Sequence, residues 1–423
     1  MQRTDCDVAI IGGGPSGATA AYVLAKAGFH ATIIEKERFP RFHVGESLLP
    51  FNRDLLGRLD LADKVDDRAF QQKNGAHFLT HDGNCENNLY FDAYFKDPHD
   101  YAWQVERAEW DEMLLRHAED AGADVREEHT VRRVDFAAGN NRLEIRDPEG
   151  NDHELRAKWV IDASGQSSFV AKQLGIRKPL EDLRKVALYS HYKGAARRCG
   201  REEGNIGLIF GDRCWFWYIP LRDDTVSVGC VTNRDRWQSG TSAEEFMEEQ
   251  IANSPYIERC LENAERVRKV HTASAFSFQA DSYVGDGWLL AGDSAAFLDP
   301  IFSTGVMIAM ESGELAAQTL VRHLRAGREL QPAHFQRYEK KLRRWTDTCF
   351  GVIRAFYHPS FASLFFNPKP RYQKAMAPFF AGQFNLGLKA RMYFQFFFWV
   401  LKASERWDFL KDPRPAESAT YHG

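Results

Sequence analysis

The strongest constraint on the fold is the run 7–37, which reads DVAIIGGGPSGATAAYVLAKAGFHATIIEKE. An apolar, β-branched segment leads into Gly12, Gly14 and Gly17, a helical apolar period follows, and a second apolar segment ends in Glu35. The order of strand, glycine turn, helix, strand and acid predicts a parallel βαβ unit built to hold a dinucleotide. An ordinary glycine turn would not need this order.

Each glycine of the turn has its own expected role. Gly12 permits the tight turn, Gly14 lets the backbone approach a pyrophosphate, and Gly17 allows the helix to pack closely on the strand. The N-terminus of the helix then offers N–H donors and the positive end of its dipole to phosphate oxygens. Glu35 stands where an acceptor for a ribose hydroxyl is expected.

Four separated segments further along the chain accompany this unit. One is the loop 38–50 (RFPRFHVGESLLP), and another, 103–122, is predicted as a short strand carrying Arg107 and then an amphipathic helix. The segments 159–168 and 287–306 are apolar strands that end in small residues, which let the backbone approach a ligand. The set resembles the FAD-dependent monooxygenases of the p-hydroxybenzoate hydroxylase type.

That resemblance implies an α/β fold in which a Rossmann-type FAD-binding domain is interleaved with a β-sheet substrate domain and followed by a helical C-terminal region. We expect the FAD-binding domain over 1–75, 103–180 and 270–325, the substrate sheet over 76–102 and 181–269, and the helical region over 326–423. In that helical, Phe-rich region a docking helix, a lid and a carrier-protein face are all compatible with the sequence, and an interfacial membrane helix is less favoured because few lysines mark a polar face. FAD is expected to contact Gly12, Gly14, Ser16, Gly17, Glu35, Lys36, Arg41, Ser47, Arg107 and, through a ribityl hydroxyl, Asp293.

Three further motifs resemble the flavin-dependent halogenases, in particular the branch that acts on phenols and pyrroles. Residues 214–220 read CWFWYIP, the WxWxIP pattern of that family. Lys73 stands before Gly75 at the start of a predicted strand, where the family carries its catalytic lysine. Residues 299–306 read DPIFSTGV and match the loop in which these enzymes hold chloride. The resemblance covers about residues 5–320.

The resemblance also implies roles for these residues. Reduced FAD, O2 and chloride or bromide give hypohalous acid, which Lys73 holds by hydrogen bonding or as a chloramine on its way to the substrate. Burial suits this role because desolvation lowers the pKa of a lysine. The backbone amides of Thr304 and Gly305 would bind the halide at the start of a helix. Trp215 and Trp217 would form a wall that keeps the substrate away from the flavin.

One departure from the family bears on the substrate. Tryptophan halogenases carry a glutamate just before the Ser-Thr-Gly of the loop, and Phe302 stands there in this chain. Because that glutamate activates an indole, its absence favours an activated phenol or pyrrole, either free or bound to an acyl carrier protein. No second GxGxxG appears, so a separate flavin reductase is expected to supply FADH2, with transient NAD(P)H binding that leaves no motif as the alternative. The expected reaction is chlorination of such a ring.

Other interpretations stay open. Trp215 and Trp217 would share one face of any core strand, Lys73 alone would be a surface lysine, and Thr304 would cap a helix in any case. Pro220 is expected to end its strand where the pocket begins. Aromatic hydroxylases and polyprenyl reductases use the same fold, and a non-catalytic flavin-binding protein would share the motifs.

The remaining polar residues narrow the classes of partner. His43, His77 and His81 are interpreted as core or surface residues, with a substrate role as the alternative. The 14 histidines and seven cysteines show no metal-ligand spacing, so no metal is expected, and reduced thiols indicate a cytoplasmic protein. A net charge of −4 with mixed signs argues against nucleic acid. The apolar segment 391–404 is too short for a membrane span.

Overall fold

The structure is a computed structural model that describes residues 4–384, except 67, 138, 212–213, 238–239, 275–276, 329, 359–360, 362–365 and 367–369, together with residues 392, 395, 396 and 399. Within these residues the helices are α1 (Pro15–Lys26), α2 (Asn52–Arg58), α3 (Ala62–Asp66), α4 (Arg107–Asp120), α5 (Phe169–Gln173), α6 (Ala243–Ala252), α7 (Pro255–Leu261), α8 (Gly305–Arg325), α9 (Gln336–Phe356) and α10 (Pro370–Phe380).

The strands follow in the same chain order. They are β1 (Cys6–Ile11), β2 (Ala31–Ile34), β3 (Gln71–Lys73), β4 (Gly75–Thr80), β5 (Glu86–Tyr90), β6 (Ala102–Gln104), β7 (Asp124–Arg126), β8 (Thr130–Asp135), β9 (Asn141–Arg146), β10 (Asp152–Asp162), β11 (Arg177–Pro179), β12 (Lys185–Lys193), β13 (Ile206–Phe210), β14 (Cys214–Pro220), β15 (Thr225–Asn233), β16 (Glu265–Arg266), β17 (His271–Ser274), β18 (Phe278–Ala280), β19 (Val284–Gly285), β20 (Trp288–Leu290) and β21 (Ala296–Phe297).

The first sheet is parallel at its centre. Its order there is β7-β2-β1-β10-β20, with β9 and β19 added antiparallel and β8 paired to β9. Strands β1 and β2 are buried almost throughout, as expected for parallel strands with helices over the sheet. Helix α1 packs against both α4 and α8. The predicted α/β, Rossmann-type fold class is confirmed.

The second sheet is largely antiparallel, in the order β16-β12-β15-β14-β13-β4-β5, with β17 also on β12. Strand β14 lies inside it, between β13 and β15. Its two tryptophans belong to the main hydrophobic core, whereas Phe216 and Tyr218 pack into a smaller cluster on the opposite face. The strand β17 pairs with this sheet just beyond the limit predicted at 269, and the domain limits themselves stay predictions.

Helix α9 packs on the main body of the protein. Its Tyr338, Leu342, Trp345 and Phe350 are buried in the same core as the first sheet. Residues 400–423, the end of the segment predicted as a lid, a docking helix or a carrier-protein face, lie outside the described residues.

Two searches of the described residues bear on partners. None of the helices found there combines the length and the apolar character needed to cross a membrane. Within the same residues, no group of three or more His, Cys, Asp and Glu side chains could hold a metal ion.

Candidate active site

A cavity of about 1020 Å³ is lined by residues from both large sheets, at the upper end of the range for ligand pockets. Three of the predicted residues, Gly17, Lys73 and Thr304, do not line it. The predicted residues that do line it are Gly12, Gly14, Ser16, Glu35, Lys36, Arg41, Ser47, Arg107, Trp215, Trp217, Asp293 and Gly305. Segments far apart in the sequence therefore meet at one place.

The glycine turn leaves no space for side chains at two positions. Gly12 has φ +102°, and a Cβ there would lie 2.6 Å from the carbonyl oxygen of Ala163. A Cβ on Gly17 would lie 1.9 Å from the carbonyl oxygen of Gly12, so α1 packs directly on the turn. The buried Ser16 Oγ, at the start of α1, has no hydrogen-bond partner within the described structure. The turn thus offers a close backbone and an unused hydroxyl to a phosphate.

Glu35 follows β2 and is held at the cavity wall by backbone donors. Its Oε2 accepts a hydrogen bond from the Gly13 N–H at 2.7 Å, and its Oε1 accepts one from the Glu37 N–H at 2.8 Å. Each carboxylate oxygen retains a second lone pair for a ligand hydroxyl. This arrangement fits an acceptor for a ribose.

Arg107 is the first residue of α4 and not part of a strand, so that part of the prediction is wrong. The three-residue strand β6 ends at Gln104. The Arg107 guanidinium instead donates two hydrogen bonds to the Asp111 carboxylate, from Nε to Oδ1 at 2.8 Å and from Nη2 to Oδ2 at 2.9 Å. Arg41 also binds Asp111, at 3.0 Å. Burial acts to raise the pKa of Asp111, but Arg107 lowers it overall, so the carboxylate stays ionised.

Sequence reasoning missed Asp111. The signal was an acid four residues after Arg107 on an expected helix, where the two side chains share one face.

Asp293 follows β20 and lines the cavity. Shielding from solvent raises its pKa to about 7, and the charge of Arg107 acts in the opposite direction. At neutral pH this carboxyl group can therefore both accept and donate hydrogen bonds. The glycine turn, the Ser16 hydroxyl, Glu35 and Asp293 together fit the phosphate, ribose and ribityl groups of FAD.

Lys73 is a buried ammonium group held by neutral partners. It is 2% exposed, and its Nζ donates to Ser47 Oγ and to the Leu48 carbonyl oxygen, both at 2.9 Å. Burial lowers its pKa to about 7. The strand predicted after Lys73 is β4, which begins at Gly75, and Lys73 itself ends the short strand β3, which was not predicted.

The two tryptophans of β14 line the cavity with neighbouring rings, whose centroids are 6.0 Å apart. The Trp217 Nε1–H donates to Ser227 Oγ at 3.2 Å, and a Cβ on Gly229 would lie 2.2 Å from the indole of Trp217. Pro220 ends β14, but the cavity lies along the strand at Trp215, Trp217 and Ile219. The expectation that the pocket begins where the strand stops is therefore wrong.

The backbone before α8 turns through a left-handed residue. Ser303 has φ 56° and ψ 26°, Thr304 has φ −83° and ψ −15°, and Gly305 opens the helix. Consecutive left- and right-handed residues point successive N–H groups into a concavity that suits an anion. No described hydrogen bond uses the N–H of Thr304 or Gly305, and nothing lies within 4 Å of a Cβ built on Gly305.

A chain of hydrogen bonds connects this loop with the tryptophans. The Trp215 Nε1–H donates to Tyr357 Oη at 3.0 Å, and the Tyr357 hydroxyl donates to Asp299 Oδ2 at 2.7 Å. Asp299 Oδ1 accepts from the Ile301 N–H, and burial raises the pKa of Asp299 to about 6. Neither Tyr357 nor Asp299 was predicted, because nothing in the sequence shows that residues 58 positions apart meet.

Phe302 has only aromatic neighbours among its described ring contacts. Its ring centroid lies 5.9 Å from that of Phe356 and 5.4 Å from those of Phe379 and Phe380, all in or beside the C-terminal helices. The position that carries glutamate in tryptophan halogenases is thus packed among aromatic rings here.

The three histidines have different environments. His43 lines the cavity, and burial lowers its pKa to about 4, so it is neutral. His77 is buried and lies within hydrogen-bonding distance of Asn88 and Asn205. His81 is half-buried and does not line the cavity.

The fold and cavity define an FAD-binding enzyme, and residues 5–345 match the FAD binding domain family. A 1H-pyrrole-2-carbonyl-(peptidyl-carrier protein) chlorinase of Pseudomonas fluorescens is 29% identical over 396 residues, 88% of each chain. The corresponding brominase of Pseudoalteromonas luteoviolacea is 34% identical over 321 residues, which cover 74% of this chain and 77% of that one.

Solved structures agree with these relatives. A flavoprotein/dehydrogenase of Cytophaga hutchinsonii superimposes with a TM-score of 0.85 at 30% identity, over 95% of this chain and 99% of that one. The myxobacterial chondrochloren halogenase CndH gives 0.80 at 30% identity, over 93% and 97% of the two chains. The chain belongs to the flavin-dependent halogenases and is an FAD-dependent enzyme, as the motifs predicted.

Proposed function

We propose that this halogenase substitutes chlorine or bromine onto an electron-rich ring of the phenol or pyrrole type, with Lys73 relaying the oxidant. The observation that carries the proposal is the setting of Lys73, which is buried, bonded only to neutral oxygens in the described contacts, and joined through Ser47 to the cavity wall. With a pKa of about 7, both the ammonium and the amine are populated at neutral pH.

Each form of Lys73 has a use. The ammonium can hold hypohalous acid by donating a hydrogen bond to its oxygen. The amine can instead take the halogen, forming an N–X bond as the O–X bond breaks and water leaves. Transfer of the halogen to the ring then displaces the ring proton, and the nitrogen takes up a proton, which regenerates the amine.

FAD, when bound, would supply the reduction of O2 from which the oxidant arises. Ser16 and the N-terminus of α1 would hold its phosphates, Glu35 a ribose, and Asp293 the ribityl chain. Arg107 would fix the loop 44–45, whose carbonyl oxygens accept its hydrogen bonds at 2.8 and 3.3 Å. The halide would lie on the amides of Thr304 and Gly305.

The tryptophan wall would control which molecules reach which part of the cavity. Trp215 and Trp217 present bulky, buried rings to it, so an aromatic substrate would be held off the flavin while a small oxidant passes. Exclusion of water from this path would protect the oxidant.

The aromatic surroundings of Phe302 and the substrates named for two relatives support a phenol- or pyrrole-type ring as the substrate class. Because no carboxylate replaces the missing glutamate at that position, the ring would have to be activated already. Two relatives are named for carrier-bound pyrrole-2-carbonyl substrates, which supports a carrier-bound pyrrole as one candidate beside free phenols. We further propose that a separate flavin reductase supplies FADH2, since the sequence contains a single GxGxxG.

The test is reconstitution from purified protein, FAD, a flavin reductase, NADH and chloride or bromide. Phloroglucinol and a pyrrole-2-carboxyl thioester serve as ring substrates, and mass spectrometry identifies the products. The proposal predicts halogenated rings whose yield depends on halide. Hydroxylated rings without halide incorporation, or bound FAD without any product, would refute it.

A further inference from the structure

A buried acid–imidazole pair lies at the cavity wall and has no role in the proposal above. Glu46 Oε1 and His191 Nε2 are 2.7 Å apart, and the two side chains are 2% and 9% exposed. Glu46 belongs to the loop 38–50 and His191 to β12, so the sequence gives no sign that they meet. Glu46 directly precedes Ser47, the residue that bonds Lys73.

The two members of the pair differ in what they face. Glu46 lines the cavity, whereas His191 does not and lies behind it. Glu46 Oε2 is buried and has no hydrogen-bond partner in the described part of the chain. Because a buried oxygen without a donor is costly, this oxygen is suited to a donor or acceptor that enters the cavity.

The surrounding groups form a mixed electrostatic environment. Arg107 of α4 and Tyr189 of β12 interact electrostatically with Glu46. On the other side, His271 of β17 interacts with His191, and the Phe42 ring contacts both histidines at 5.4 and 4.7 Å between centroids. Lys269 and Arg268 also act on His271, and Arg268 lies over Phe42 at 4.6 Å.

The proposed reaction consumes one proton for each ring that is halogenated. For a halogenase, FADH2, O2, a halide ion, an aromatic C–H and one proton give FAD, the aromatic C–X and two waters. The flavin supplies two electrons and the halogenated ring the other two, and both oxygen atoms leave as water. Each turnover therefore takes up one proton from solvent, and a proton-exchanging group at the cavity wall can deliver it to the reacting atoms.

We propose that the Glu46–His191 pair carries this proton into the cavity, a role that rests on the proposed halogenation. Glu46, protonated on Oε2, gives its proton to an acceptor in the cavity while Oε1 takes the Nε2 proton of His191. Rotation of the carboxyl group returns the proton to the cavity side, and His191, whose side chain is 9% exposed, regains a proton from solvent. A carboxylate and an imidazole suit such a transfer because each can both accept and donate a proton through its hydrogen-bonding atoms.

The test compares Glu46→Gln and His191→Gln with wild type and with His117→Gln. Both glutamines keep hydrogen-bonding groups but cannot pass a proton on. His117 is a matched control, since it is a buried histidine that bonds the Leu59 carbonyl oxygen and does not line the cavity. Halogenated phloroglucinol per O2 consumed is measured at about pH 6 and about pH 8, with the solvent deuterium isotope effect. FAD affinity, from fluorescence titration, reports binding separately.

We expect both glutamine variants to lose roughly 100-fold in halogenation at about pH 8 and to release peroxide instead. The loss should be smaller at about pH 6, and FAD affinity should be unchanged. If neither folds, His191→Ala with added imidazole carries the test, and imidazole should restore halogenation. If both glutamine variants gave as much halogenated product per O2 as wild type at both pH values, or changed only in FAD affinity, the inference would be overturned. A wild-type protein that makes no halogenated product would instead refute the proposed function.

Discussion

At the scale of single residues, the proposed relay depends on Lys73, a lysine that burial leaves partly uncharged near neutral pH. The ordinary pKa of Lys73 is 10.5, and burial lowers it to about 7 in the folded protein. The unfolded chain therefore binds more protons than the folded one between these values, and the free energy of unfolding rises with pH across that window. Below about pH 7 both states are protonated and the cost of burying the charge is present in full.

This linkage makes a prediction for two variants with opposite charge behaviour. Lys73→Met is never charged and Lys73→Arg is always charged, so both should lose the rise in stability between about pH 7 and about pH 10. Relative to either variant, wild type should gain on the order of 3 kcal/mol over that range. Urea unfolding at several pH values measures it. Parallel pH profiles for wild type and Lys73→Met would show that Lys73 does not titrate there.

At the scale of elements, the C-terminal helix α9 connects to the site through Tyr357, just after its end. Tyr357→Phe should leave Trp215 Nε1 and Asp299 Oδ2 without this partner and lower stability by about 1–3 kcal/mol. Because Asp299 begins the loop before α8, the KM for halide should rise more than kcat falls. Steady-state halide titration and denaturant unfolding provide the two measurements.

A matched variant on the same helix separates the two effects. Tyr338→Phe also removes a buried hydroxyl, one that donates to the Leu290 carbonyl oxygen and not to Asp299. It should lose stability to a similar extent with the KM for halide unchanged. An equal change in halide KM for both variants would contradict a positioning role for Tyr357.

The pairing of β14 with β15 makes a second prediction at this scale. Gly229→Ala places a Cβ where the Trp217 indole lies, so it should cost about 1–3 kcal/mol and displace that ring. Gly207→Ala in β13 is the milder control, because its nearest neighbours would be 3.3 Å away. Displacement should change the tryptophan fluorescence and reduce halogenated product per O2. An unchanged product yield in a folded Gly229→Ala protein would argue against the wall.

The elements show which parts of the sequence were informative. The βαβ unit was predictable because few other folds have apolar segments, glycines and an acidic residue in this order. Helix α1 and strand β2 lie where the pattern indicates. The strand before Arg107 was misjudged because β6 has only three residues and its register comes from pairing with β3. Short strands of this kind depend on tertiary partners rather than on local pattern.

At the scale of the whole molecule, the cavity brings together segments from residue 11 to residue 309. The lining residues that belong to sequence motifs were predictable, because each motif lies within a single segment of the chain. The Glu46–His191 pair and the Trp215–Tyr357–Asp299 chain were not, since each joins positions whose proximity exists only after both sheets and α9 have packed. Lys73 was predictable by resemblance, but its neutral partners and burial were not.

Because the cofactor site draws on so much of the chain, FAD should stabilise the whole protein. The unfolding temperature should rise by a few degrees and keep rising with FAD concentration well above the Kd. Glu35→Ala removes the acceptor that Gly13 and Glu37 hold in place, so its shift should be smaller at equal FAD. Differential scanning fluorimetry over an FAD series measures both. Equal shifts for the two proteins would exclude Glu35 from the site.

The coupling ratio of Lys73→Met, halogenated product per O2 consumed, shows whether the oxidant reaches the ring by way of Lys73. Wild type and variant are given reduced FAD, O2, bromide or chloride and phloroglucinol, and halogenated product, peroxide and O2 consumption are measured together. We expect the variant to consume O2 at the wild-type rate, to form about 100-fold less halogenated product and to release the difference as peroxide. Full halogenation by Lys73→Met would contradict the relay.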